Sequence, residues 1–82
     1  MHVIRRNVVD TFLSANPQHA VEVEGWWDMA EAASWRSDSD VIATFPSGVP
    51  SGSLWTFTLK SGVRIEAIVT FSPALVSVRK VS

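Results

Sequence analysis

The 82-residue sequence contains no cysteine and no tyrosine, only two histidines, and four residues each of glycine and proline. Without cysteine there can be no disulfide, no thiolate nucleophile and no cysteine-ligated zinc. His2 and His19 lie far apart in unrelated local contexts and read as ordinary surface residues rather than metal ligands. No metal or cofactor is expected. No apolar run approaches the ~18 residues needed to span a bilayer, and His2-Val3-Ile4 runs straight into Arg5-Arg6 without the apolar stretch of a leader peptide. The expected location is therefore the cytoplasm, with no membrane partner. Basic residues are also scarce. Seven Lys and Arg face eight Asp and Glu, for a net charge of −1. With a pI near 6.0, the chain is not a general nucleic-acid binder, because non-specific affinity for phosphate comes mainly from Lys and Arg.

Hydrophobic residues make up 46% of the chain and charged residues 18%, the balance of a compact globule rather than a disordered tail. Residues 1–82 are expected to form one domain. A chain this short buries only roughly 60 to 65 percent of its unfolded surface. Four Trp and four Phe must supply much of that burial. The charge is unevenly spread. Residues 1–52 hold three bases against seven acids, whereas residues 53–82 hold Lys60, Arg64, Arg79 and Lys80 against Glu66 alone. Such asymmetry between halves can mark one face for an anionic partner.

Val3-Ile4 reads as a short strand. Asn7 is then positioned to cap a helix in which Val8 pairs with Phe12 and Val9 with Leu13, ending near Asn16-Pro17. A second helix is predicted from about Gln18 to Ala33. Its apolar stripe is Val23, Trp26, Trp27, Ala30 and Ala33, and Glu22, Glu24, Asp28 and Glu31 take the wet side. Adjacent helical residues point about 100° apart, so one ring of the Trp26-Trp27 pair is expected in the core and the other facing solvent or a partner. Ser37 suits an N-cap for a single turn through Val41 or Ile42. Asp38 and Asp40 then serve the helix start rather than forming a catalytic carboxylate pair. Residues 47–53 read as a loop. Beyond it, Trp55, Phe57 and Leu59 alternate with Thr56, Thr58 and Lys60, then Val63, Ile65, Ala67, Val69 and Phe71 with Arg64, Glu66, Ile68 and Thr70, then Val76 and Val78 with Ser77, Arg79 and Val81, with turns at Ser61-Gly62 and Ser72-Pro73. The alternation places Arg79 and Val81 on the open side of the last strand.

The run Trp35-Arg36-Ser37-Asp38-Ser39-Asp40-Val41-Ile42-Ala43-Thr44-Phe45-Pro46 carries more than helix chemistry. It resembles a signature of the HigB-type toxins of the RelE superfamily, ribosome-dependent mRNA interferases of type II toxin-antitoxin systems. Trp35, Arg36, Ser37, Asp40, Val41, Phe45 and Pro46 agree with it. The likeness extends to Val3-Ile4, Phe12, Pro17, Trp26-Trp27 and Phe57-x-Leu59-Lys60, and so covers nearly the whole chain. It implies an α+β, RelE-like fold with two N-terminal helices and a short helical turn packed on a three- to four-stranded antiparallel sheet.

The resemblance also implies a function. In RelE-like interferases the open sheet face holds mRNA, and clustered bases stabilise charge while a ribose 2′-hydroxyl attacks the scissile phosphate. Lys60, Arg64 and Arg79 fall on family bases and are the implied catalytic residues. The implied partners are the ribosome, mRNA and a cognate antitoxin of helix-turn-helix type. Independently of the resemblance, a domain this small is not expected to bury all four Trp, so Trp27 and Trp55 are candidate partner-facing rings, with a homodimer as the rival use of an exposed ring. Two departures weigh against catalysis. Glu66 and Thr70 stand where family members carry Arg, and the family's Thr-His-x-Glu-Tyr-Asp segment with its catalytic His begins beyond the position of Ser82. The alternative expectation is a non-catalytic RelE-fold module that binds protein.

Overall fold

A computed structural model describes all 82 residues. Its elements run β1 (His2–Ile4), α1 (Arg6–Ala15), a 3-10 turn (Pro17–His19), α2 (Ala20–Ala32), α3 (Asp38–Thr44), β2 (Val49–Ser51), β3 (Leu54–Thr58), β4 (Arg64–Phe71) and β5 (Ala74–Val81). The fold is α+β, with three helices on one face of a single five-stranded sheet of order β1-β5-β4-β3-β2. No helix is long and apolar enough to cross a membrane.

The helices follow the sequence pattern with shifted starts. Arg5, not Asn7, is the residue before α1, and it takes a left-handed backbone at φ 72°. That conformation costs roughly 1–2 kcal/mol for a residue with a side chain, and it swings the chain out of β1 into the helix. Asn16 closes α1, its backbone N–H and its Nδ2 both donating to the Phe12 carbonyl, at 2.9 and 3.0 Å. Pro17 then opens a 3-10 turn that absorbs Gln18, so α2 begins two residues later than its apolar stripe suggests. Ser37 does precede α3, which extends to Thr44. Its hydroxyl makes no capping bond. Instead Asp40 Oδ2 accepts from the Arg36 backbone N–H at 2.9 Å, and the Ser37 carbonyl accepts the first helical bonds.

The sheet departs from the expected three- to four-stranded antiparallel arrangement in two ways. It gains β2 from the segment read as a loop. Val49-Pro50-Ser51 pairs antiparallel with Leu54-Trp55-Thr56 across a turn where Gly52 has φ 63°. Proline is tolerated there because β2 is an edge strand, where a missing N–H breaks no ladder on the far side. The sheet is also mixed, since β1 runs parallel to β5, His2 opposite Leu75 and Ile4 opposite Ser77. Helices between β1 and the later strands provide the crossover that a parallel pair needs.

Sixteen apolar residues form the core, among them all four tryptophans. Trp27 is 8% and Trp55 1% exposed, so neither is the partner-facing ring expected from sequence. Trp26 packs against Phe45 and Phe57, while Trp27 lies beneath the Arg6 guanidinium, 5.0 Å from its ring centroid. Both neighbours are buried because α2 is covered on two sides, by the sheet and by the start of α1.

The motif of residues 35–46 gains a physical reading here. Trp35 Nε1 donates to Thr44 Oγ1 at 2.9 Å, Val41 is fully buried, and Phe45 meets Trp35 and Phe57 edge-on. The run is a clasp that ties α3 to the sheet. Gly48 completes it, since a Cβ there would lie 3.1 Å from Phe45 O and from the rings of Phe57 and Trp55.

Candidate functional site

Strand register sorts the residues into two faces. Val3, Trp55, Phe57, Ile65, Ala67, Val69, Val76 and Val78 point to the helices and are buried. The other face carries no helix. Its rows follow from the pairing of Ile4 with Ser77, Ser77 with Ile68, and Ile68 with Leu54, and then of Lys80 with Glu66 and Glu66 with Thr56. Arg64 pairs with Thr58 at one end, where its backbone exchanges two hydrogen bonds with Ser82, at 2.8 and 2.9 Å.

A β-bulge shapes that end. Glu66 opposes Lys80, but the next residue, Ala67, opposes Val78, so Arg79 is an extra residue in β5 without its own partner on β4. A bulge of this kind breaks the ladder locally and shifts side-chain alternation by one. Lys80 thereby joins the open face beside Arg79. Val81 returns to the helix side opposite Ile65 and packs against the core, rather than facing outward as strict alternation required.

Of the three residues singled out from sequence, the structure brings Arg64 and Arg79 to one end of the open face, in the company of Lys80 and Glu66. Lys60 is exposed in the turn joining β3 to β4, which is closed by Leu59 N–H to Val63 O at 2.7 Å and Gly62 N–H to Leu59 O at 2.9 Å. It stands past the strand ends. No ion pair engages any of these bases or Glu66, because the chain's ion pairs are those of Arg6 with Asp10 and with Glu24. Partial burial works against the charge of Arg6, but its bonds to Glu24 and Asp10 outweigh that and raise its pKa above the ordinary arginine value. This cluster clamps α1 to α2 and lies off the open face.

Neither histidine sits with the bases. His19 stacks on Phe12 with ring centroids 6.1 Å apart. His2 is on the open face but opposite Leu75, five residues along β5 from Lys80, roughly 16 Å at about 3.3 Å per residue. A proton-transferring group must come within hydrogen-bond reach of the reacting oxygen. The basic end therefore offers charge stabilisation and phosphate binding, without a histidine acid or base.

The open face also carries an apolar band that strand alternation alone did not single out. Ile4, Leu75, Ile68 and Leu54 are half-buried, and Val49 on β2 is 64% exposed. Together they place one apolar residue on each of the five strands. None of them packs against the core. Lys80 was hidden because its face depends on the bulge, which has no local sequence mark, and the band because the pairing register decides which outward residues of different strands come together.

The protein is a small α+β domain with one sheet face covered by helices and the other open. Compared with known proteins, the chain matches no protein-family model and no curated protein.

Proposed function

We propose that the protein is a HigB/RelE-like toxin of a type II toxin-antitoxin system, acting in the cytoplasm as a ribosome-dependent mRNA endoribonuclease. One observation carries this reading. Arg64 and Arg79, with Lys80, stand at one end of an uncovered sheet face and are committed to no ion pair. Free guanidinium and ammonium groups on such a face suit a bound phosphodiester, holding the backbone and stabilising negative charge as a ribose 2′-oxygen attacks phosphorus. The 2′-hydroxyl gives up its proton to solvent or the ribosome and the leaving 5′-oxygen takes one from the same source, since no histidine is at hand; the P–O5′ bond breaks as the 2′-oxygen bond forms, leaving a 2′,3′-cyclic phosphate and a 5′-hydroxyl. Lys60, at the turn, extends the positive track for the mRNA strand. A helix-turn-helix antitoxin encoded nearby is the partner that this reading requires.

Primer extension on translating ribosomes tests it. Cleavage by the wild-type chain, lost in Arg64→Ala and Arg79→Ala, is the expected result. No cleavage at any protein concentration overturns it. That outcome leaves a non-catalytic RelE-fold module that binds an antitoxin or a second copy of itself, a reading favoured by the apolar band and by Glu66 among the bases. Sedimentation alone and with the neighbouring gene product then separates these two partners.

A further inference from the structure

The open sheet face is not the only accessible surface of the molecule. A cleft of about 320 Å³ lies between α1 and the last residues of β5. Val8 and Phe12 of α1 and Val81 of β5 give it apolar walls, Thr11 lies at its rim, and Arg79 and Lys80 border it. The strand beside it has an uncovered edge. β1 reaches only to Ile4 opposite Ser77, so no strand neighbours β5 on that side beyond Ser77. Arg64 and Ser82 exchange both backbone hydrogen bonds across the β4–β5 ladder. In an antiparallel pair such positions alternate with positions that bond outward. Val81, one residue earlier, therefore directs its N–H and C=O away from β4 and toward the cleft.

An unpaired strand edge next to a helix, with an apolar floor, is the geometry by which an extended peptide adds as one more strand. The charge around the cleft selects the peptide. Two bases border the cleft, and the acid closest in sequence to its helical wall, Asp10, is held by Arg6 at 2.9 Å. We propose that the α1–β5 cleft docks an extended segment of a partner protein in which apolar and acidic side chains alternate. Backbone pairing to Val81 supplies the strand contact, an apolar side chain enters between Phe12 and Val81, and acidic side chains meet Arg79 and Lys80. This surface is distinct from the apolar band, and the inference does not depend on the chain cleaving RNA.

The test uses the full chain labelled with ¹⁵N and a blocked peptide of alternating Glu and Val. Peptide addition is expected to shift the amides of Thr11, Phe12 and Val81 and to slow hydrogen exchange at Val81. Thr11→Glu, an exposed change on α1 that leaves the sheet face untouched, is expected to weaken binding by about fivefold or more, while Thr11→Lys retains it. Equal binding of a Lys-Val peptide, or shifts confined to Leu54 and Ile68, overturns the proposal. So does movement of the same amides by a uridine oligonucleotide but not by the peptide, which assigns the cleft to RNA. Concentration-dependent shifts at Val81 in the chain alone overturn it in favour of self-association.

Discussion

Lys80 stands directly opposite Glu66 across the β4–β5 ladder, while Arg79 beside it has no partner on β4. Removing one residue should therefore mend the ladder. Deleting Arg79 leaves Val78 opposite Ala67, Lys80 opposite Glu66 and Val81 opposite Ile65, the pairs that already exist. The deletion is expected to fold with a melting temperature equal to or above that of the parent and, if RNA lies on this face, to bind it more weakly. An unfolded product by circular dichroism would show that the bulge is required for the twist of β5.

Glu66 is the one acid among the bases of the open face. Glu66→Arg places like charges directly opposite each other, at a cost of roughly 0.2–1 kcal/mol in stability. If RNA lies on this face, affinity for a single-stranded oligonucleotide should rise at low salt, and the slope of log K against log salt should steepen by about 0.7. Fluorescence anisotropy across a salt series measures both, and an unchanged slope would remove RNA from this face.

Two buried indoles differ in a testable way. Trp35 Nε1 has Thr44 Oγ1 at 2.9 Å, whereas Trp26 Nε1 is buried without any hydrogen-bond partner. Trp26→Phe removes an unsatisfied donor together with some packing volume, and Trp35→Phe breaks a formed bond. The second change should cost about 1–2 kcal/mol more than the first in urea unfolding. Thr44→Val strands the Trp35 N–H in a site only 4% exposed and should cost about 1–3 kcal/mol. Equal losses for the two indoles would mean that Trp26 finds a partner in solution.

The sequence shows most of this arrangement because its main signals are local. Helix and strand periods placed Val9, Val23, Ile65, Val69 and Val76 in the core, and Ser61-Gly62 marked the β3–β4 turn, where Gly62 has φ 99°. What it hid depends on contacts between distant segments. Pro50 argues against a strand until β2 is known to be an edge. Trp27 reads as a surface ring until Arg6 is seen to lie over it. Arg79 alternates outward by simple counting, yet the bulge beside Val78 moves Lys80 outward and Val81 inward. Of the candidate face, the outward placement of Arg64 and Arg79 was legible, and their company was not.

The apolar band yields the last expectation. Ile68 sits at its centre, opposite Leu54 on one side and Ser77 on the other, and is half-buried without touching the core. Its neighbour Val69 points the opposite way and is 3% exposed. The same chemical change at the two positions therefore separates interface from core. Val69→Thr buries a hydroxyl among apolar side chains and should cost about 1–3 kcal/mol of stability. Ile68→Thr keeps a β-branched residue on a strand and leaves its hydroxyl in water, so stability should fall by less than about 1 kcal/mol. If the band is where a partner protein sits, Ile68→Thr should nonetheless weaken association by about 2 kcal/mol, as the loss of a central apolar contact does. Denaturant unfolding gives the first quantity and titration calorimetry with the neighbouring gene product the second. Wild-type affinity in a folded Ile68→Thr protein would show that the band is solvent-facing surface, and would direct attention to the α1–β5 cleft, where Ile68 plays no part.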